Sequence, residues 1–143
     1  MKTIATKQIS EKDRKWYVID ASDNNLGRLS TKIATILRWK NKIDFASYVD
    51  NWDYVIVLNA GKVSVTWKKI NDKMYYTHSW YLWWIKKTNL AEMLEKKPTK
   101  ILWLSVFWML PKNKLRKSMF SRLKLFEWSE HTFSAQKPIE LKI

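Results

Sequence analysis

Tyr54-Val55-Ile56-Val57-Leu58-Asn59 is the segment that most narrows the folds open to this chain. It is β-rich and apolar on both faces, which is the pattern of a central strand covered from both sides. A strand of that kind belongs to a sheet with helices packed on it and crossovers between its strands. The residues before it supply such a crossover. Trp16-Tyr17-Val18-Ile19-Asp20-Ala21 reads as a buried strand, and the polar cluster Ser22-Asp23-Asn24-Asn25 as the turn that ends it. Leu26, Leu29, Ile33, Ile36 and Leu37 then recur at helical spacing, with Arg28, Lys32 and Thr35 on the opposite side. Asp23, Asn24 or Asn25 can cap that helix by accepting a backbone N–H. The basic stretch Arg38-Trp39-Lys40-Asn41-Lys42 ends it. Strand, helix and strand in this order predict an α/β domain with a small, mostly parallel sheet. The helix face of Leu26, Leu29, Ile33 and Ile36 is expected to lie against the sheet that holds Val18 and Ile56.

Further along, Asn59-Ala60-Gly61-Lys62 is a turn, and Val63-Ser64-Val65-Thr66 a short segment that can start a helix. Lys73–His78 reads as a strand and Ser79–Lys87 as a loop. Thr88 or Asn89 can cap a helix over Leu90–Lys97, which Pro98 is expected to stop. Ile101–Leu110 reads as a helix closed by Pro111, Leu115–Arg122 as a short basic helix, and Leu123–Phe126 as a strand or extended piece. No repeat or linker divides the chain. Its 143 residues fit one domain, with an extended basic arm over residues 1–15 and an irregular tail over 134–143.

The charge points to a partner. Lys and Arg number 27 against 13 Asp and Glu, a formal net charge of +14. Like charges repel across a compact surface, so the imbalance gives folding nothing and calls for a polyanion. The absence of cysteine excludes disulfides, thiolate metal sites and cysteine nucleophiles. The first residues lack the apolar stretch of a signal peptide. The longest near-apolar run, Ile101–Leu110, falls well short of the about 20 residues that cross a bilayer. A cytosolic protein with a nucleic-acid partner and no membrane partner is expected.

The cations are clustered. Between Glu95 and Glu127 there is no acidic residue, and the densest part is Pro111-Lys112-Asn113-Lys114-Leu115-Arg116-Lys117, followed by Arg122 and Lys124. Successive phosphates need several cations close together, which this block provides, whereas a merely solvated face mixes both signs. Arg38, Lys40 and Lys42 form a second cluster; Lys68 with Lys69 and Lys86 with Lys87 form a third. Together they predict a broad basic surface suited to folded RNA. The histidines, His78 and His131, stand in no metal-ligand spacing. Asp20, Asp23, Asp50 and Asp53 are accounted for by capping and solvation as well as by pairing. Neither a dinucleotide nor a P-loop glycine pattern follows the first strand, and no serine sits in a nucleophile elbow. Nothing points to an enzyme, a cofactor or a small-molecule substrate.

Several of these stretches carry a resemblance. Trp16–Ala21, Leu26-Gly27-Arg28-Leu29, Asp53–Ala60, Lys73–Ser79, Met109–Asn113 and Ser129-Glu130-His131 resemble, in order and spacing, the large-subunit ribosomal protein family called L-thirteen. The resemblance covers nearly the whole chain. It implies a compact three-layer α/β/α fold and a structural role in the large ribosomal subunit. It further implies binding to large-subunit ribosomal RNA beside neighbouring ribosomal proteins, support of assembly, and no catalysis. A regulatory RNA-binding module acting off the ribosome is the alternative. His78 falls within a shared motif and joins the candidate RNA contacts.

One departure has a pattern. The chain has ten tryptophans and two glycines, Gly27 and Gly61, where ordinary usage of about 7% would put about ten glycines. The family resembled has glycine where this chain has Trp39, Trp52, Trp67, Trp80, Trp83, Trp84, Trp108 and Trp128. Trp16 matches a family tryptophan, and Trp103 has no clear counterpart. Trp52-Asp53 and Trp67-Lys68 flank strands at turn positions, where glycine supplies positive φ cheaply. Three readings compete: rings that stack on RNA bases, core residues, or UGA codons read as glycine in the cell. On the last reading the eight rings are expected to be exposed or crowded.

Overall fold

The computed structural model describes residues 6–66 and 68–142. Its centre is a four-stranded parallel sheet. β1 (Trp16–Asp20) runs beside β2 (Tyr54–Leu58) with Trp16 opposite Tyr54 and Asp20 opposite Leu58. β5 (Leu123–Leu125) adds to the other side of β2, and β6 (Ile139–Glu140) to the other side of β1, giving the order β5-β2-β1-β6. Val55, Ile56 and Val57 are all fully buried, as a doubly covered central strand requires.

α1 (Leu26–Leu37) crosses from β1 to β2. The Asn25 side chain caps it, accepting from the Gly27 N–H at 3.0 Å. Leu26, Leu29, Ile33 and Ile36 are buried and join one core cluster with Ile19, Val55 and Val57. Strand alternation turns Ile56 to the opposite face, where Trp16 stacks on Tyr54 at 4.1 Å and lies 5.2 Å from Phe133. α4 (Pro98–Met109) packs on α1 and places Ile101, Leu102 and Val106 in the same core.

Several expectations need correction. Val63–Thr66 starts no helix; Ser64 forms a parallel bridge with Asn25, and its carbonyl accepts from the Leu26 N–H at 2.9 Å. A single-turn α2 (Lys69–Asp72) precedes β3 (Met74–His78). Ser79–Lys87 is not all loop. β4 (Ile85–Asn89) pairs antiparallel with β3, Tyr76 opposite Lys87, so the loop is only the tip of a hairpin. α3 (Leu90–Lys96) follows at once. Pro98 opens α4 rather than merely closing α3: at a first helical position its missing N–H leaves no bond unmade. The Gly61 turn sits so close to it that a Cβ on Gly61 would lie 3.2 Å from Pro98 Cβ. α5 (Arg116–Ser121) leads into β5. The tail holds a 3-10 turn, Ser134–Gln136, and β6, which joins the sheet edge through the Leu141 N–H bonded to the Val18 carbonyl at 2.8 Å. Residues 7–15 of the arm are tied down as well. The Asn51 side chain accepts from Ile9 N–H at 2.6 Å and donates to the Lys7 carbonyl at 2.8 Å.

The tryptophans divide. Trp80, Trp83, Trp84, Trp108 and Trp128 are exposed. Trp39 and Trp52, at 2% and 1% exposure, join the core cluster although they stand outside helices and strands, so the expectation of exposed rings does not hold for these two. Trp67 lies outside the described residues. Trp103 stands 5.4 Å from Phe107 and 4.7 Å from Phe120, so it belongs to an aromatic cluster between α4 and α5.

Candidate nucleic-acid interface

α1 ends in Arg38 and Lys40, and the chain leaves α4 through Pro111. Some seventy residues apart in sequence, these two stretches meet in space. Thr31, Thr35, Arg38, Lys40 and Met109 line one surface cavity of about 400 Å³. Arg38 also lines a smaller one beside Pro111 and Asn113. The Thr31 hydroxyl lies 3.7 Å from Met109 Sδ, which marks the seam between the two helices. Lys112, Lys114 and Lys117 continue from this seam, and all three are exposed. Arg38 of the second basic cluster thus shares a cavity with Pro111 and Asn113, which flank Lys112 of the first.

Not every expected cation is free to serve it. Arg122 is 6% exposed and forms a two-pronged ion pair with Asp50, one arm at 2.7 Å, while its guanidinium lies over the Trp52 ring. Burial pushes the Asp50 carboxyl up, but the Arg122 hydrogen bond and the charges of Arg122 and Arg14 outweigh it and hold the carboxyl below its ordinary range. Arg122 therefore anchors β5 to the α1–β2 connection. Arg116 donates to the Phe107 carbonyl and lies 3.6 Å from the Phe107 ring centre, which fixes α5 on α4. Lys42 reaches the buried Asp53 carboxylate at 2.6 Å. His78 is exposed, and its Nδ1 accepts from the Trp80 N–H at 2.9 Å. In each case the charge or ring is engaged by a partner distant in the fold or by the local turn, which composition does not reveal.

Lys68, Lys69, Lys86 and Lys87 are exposed around the β3–β4 hairpin, with Lys87 Nζ 5.9 Å from the Tyr76 ring and Lys73, not singled out in the sequence, 5.3 Å from Tyr75. Lys124, on β5, is half-buried. Arg28 and Lys32 have in the sequence only the place of a polar helix side. In the structure both are exposed one helical turn apart, on a helix that contains no acidic residue, and that acid-free spacing is the signal that marks them as cations of the surface. Among the described residues, the ion pairs involve Arg14, Lys42, Lys96 and Arg122 and none of the exposed cations of the seam. No group of three or more His, Asp or Glu side chains among those residues is placed to hold a metal.

The model of the family described as ribosomal protein L13 matches residues 14–132. The chain belongs to this family. It is 48% identical over 138 residues to the large ribosomal subunit protein uL13 of Brevibacillus brevis, covering 96% of this chain and 95% of that protein. The namesake protein of Alcanivorax borkumensis is 46% identical over 143 residues, with both chains covered completely. That of Lachnospira eligens is 49% identical over 130 residues, covering 91% and 92%. The ribosomal protein L13 family is structural and non-enzymatic. The matched span runs from Arg14 to Thr132, so it includes the seam, the hairpin and the Asp50–Arg122 anchor.

Proposed function

We propose that this chain binds large-subunit ribosomal RNA through the α1–α4 seam, with Arg38, Lys40, Lys112, Lys114 and Lys117 on phosphates and Arg28 and Lys32 extending the contact. Lys68, Lys69, Lys86 and Lys87 of the hairpin form a second contact, and Lys124 lies at the margin. In this role the protein is a cytoplasmic, structural constituent of the large subunit that supports its assembly beside neighbouring ribosomal proteins. The observation that carries the reading is the seam itself: Arg38 and Lys40 line cavities with residues of the α4 exit, and among the described residues none of the seam's cations takes part in an ion pair. Free cations release counterions from a phosphate backbone, so each phosphate they neutralise has a measurable salt signature.

The test is a variant with Lys112, Lys114 and Lys117 changed to alanine, titrated on a large-subunit ribosomal RNA fragment across a salt series. Affinity falls, and the slope of log affinity against log salt flattens by about 0.7–0.9 for each phosphate that the variant leaves unneutralised. An unchanged slope removes the seam from the interface. Sedimentation of the unaltered protein with large subunits at moderate salt separates residence in the particle from a regulatory role off it.

A further inference from the structure

We infer that the protein made in the cell carries glycine, not tryptophan, at positions 39, 80 and 83, through UGA codons read as glycine. The backbone is the reason. Among the described residues, the non-glycine residues with positive φ are Asp23, Trp39, Asn59, Trp80, Trp83 and Lys137, while neither glycine has positive φ. Asp and Asn visit the left-handed region readily; for a bulky residue it is an outlier. Half of this set is tryptophan, in a chain with ten tryptophans and two glycines.

Each position is one that glycine ordinarily fills. At the end of α1 the Trp39 N–H bonds to the Ile36 carbonyl at 2.9 Å and the Lys40 N–H to the Thr35 carbonyl at 3.1 Å. With Arg38 as C-cap, these two bonds make a Schellman motif, and Trp39, at φ 63°, occupies the position after the cap where glycine is most common. Its indole Nε1 is buried without a hydrogen-bond partner, so the ring gains no polar satisfaction there. At the hairpin tip the Trp84 N–H bonds to the Tyr81 carbonyl at 3.2 Å, and Trp83, at φ 70°, is the third residue of that turn. A type II turn reserves that place for glycine. Trp80, at φ 64°, opens the same tip, and both rings are almost wholly exposed, at 95% and 94%. Stacking on RNA would account for the exposed rings and core packing for buried Trp39, but neither accounts for left-handed backbone at all three positions. One codon reassignment accounts for all three. Trp52 has no positive φ and fills the core, so its backbone does not argue for glycine.

Peptide mass spectrometry of the protein from ribosomes of the source cell, with the gene's codons read alongside, tests this. Glycine at 39, 80 and 83 with UGA codons is the expected result. A tryptophan-bearing peptide at any of the three, or a UGG codon there, overturns the assignment for that position, and tryptophan at all three overturns it altogether. A second measurement isolates the backbone: Trp39→Gly and Trp39→Ala both remove the ring, and only glycine is relieved at positive φ. Trp39→Gly is expected to melt about 2–6 °C above Trp39→Ala. Equal melting temperatures would remove the conformational ground for glycine at that position.

Discussion

β2 and the β3–β4 hairpin are both strand structure, yet they stand at opposite ends of what holds this protein together. β2 has its three central residues fully buried between two covered faces, and its neighbours come from segments far away in sequence. The hairpin is made of adjacent residues, exposes Met74, Tyr76 and Ile85, and packs mainly through its base, where the Leu90 N–H bonds to the Lys73 carbonyl at 3.0 Å. Two strands alone bury too little apolar surface to be independently stable, so the hairpin depends on the domain while the domain does not depend on its tip. The core is therefore where substitutions change stability, and under the proposed function the hairpin and seam are where they change RNA binding.

The largest effect should come from the core. Leu29→Ala or Ile33→Ala should cost about 2–5 kcal/mol in urea unfolding, because both side chains are fully buried under the sheet. A cost below that range would mean the α1–sheet contact is not the principal core. Next, Asp50→Asn should cost about 1–3 kcal/mol, since it leaves the buried Arg122 guanidinium without its counter-charge. Thermal or urea unfolding at neutral pH reads it directly.

Acid sharpens the same comparison. Asp50 is held below its ordinary value against its burial, and Asp20 is held down by the Ser22 backbone N–H and the Asn59 amide. The unfolded chain therefore binds protons that the folded one still refuses. The stability these carboxylates contribute is present above the ordinary value of 3.8 and is lost as pH falls from there through their lowered folded values. Urea midpoints followed down in pH should fall less steeply for Asp50→Asn than for the unaltered chain. The smallest stability effect belongs to the hairpin. Lys86→Ala with Lys87→Ala should leave unfolding within about 0.5 kcal/mol, while flattening the salt dependence of RNA binding by about 0.7–0.9 per phosphate. A large drop in stability there would contradict the division between core and hairpin.

Much of the core half is legible in the sequence. β1, α1 and β2 follow from a continuous apolar run and from 3.6-residue spacing, and the cap on α1 from an asparagine cluster before it. β4 is not legible, because Ile85-Lys86-Lys87-Thr88-Asn89 is a strand only through its register with β3. Pro98 ends α3 as the sequence reading expects, but that reading misses that it also opens α4, since proline breaks a helix from within and starts one at its first position. Among the candidate RNA contacts, charge counting also selects Arg116, Arg122 and Lys42, whose side chains are engaged by Phe107, Asp50 and Asp53.

By itself the sequence determined the α/β alternation, the central strand, the strongly basic balance, and the family. These rest on local spacing and on composition, which need no knowledge of what lies beside what. Only the tertiary structure decided which cations are paired, that Arg38 shares a cavity with Pro111 and Lys40 one with Met109, that Trp52 fills the core, and that the backbone turns left-handed at Trp39, Trp80 and Trp83. Charge pairing and burial are properties of residues brought together by folding, and φ at a turn is set by the elements the turn must join.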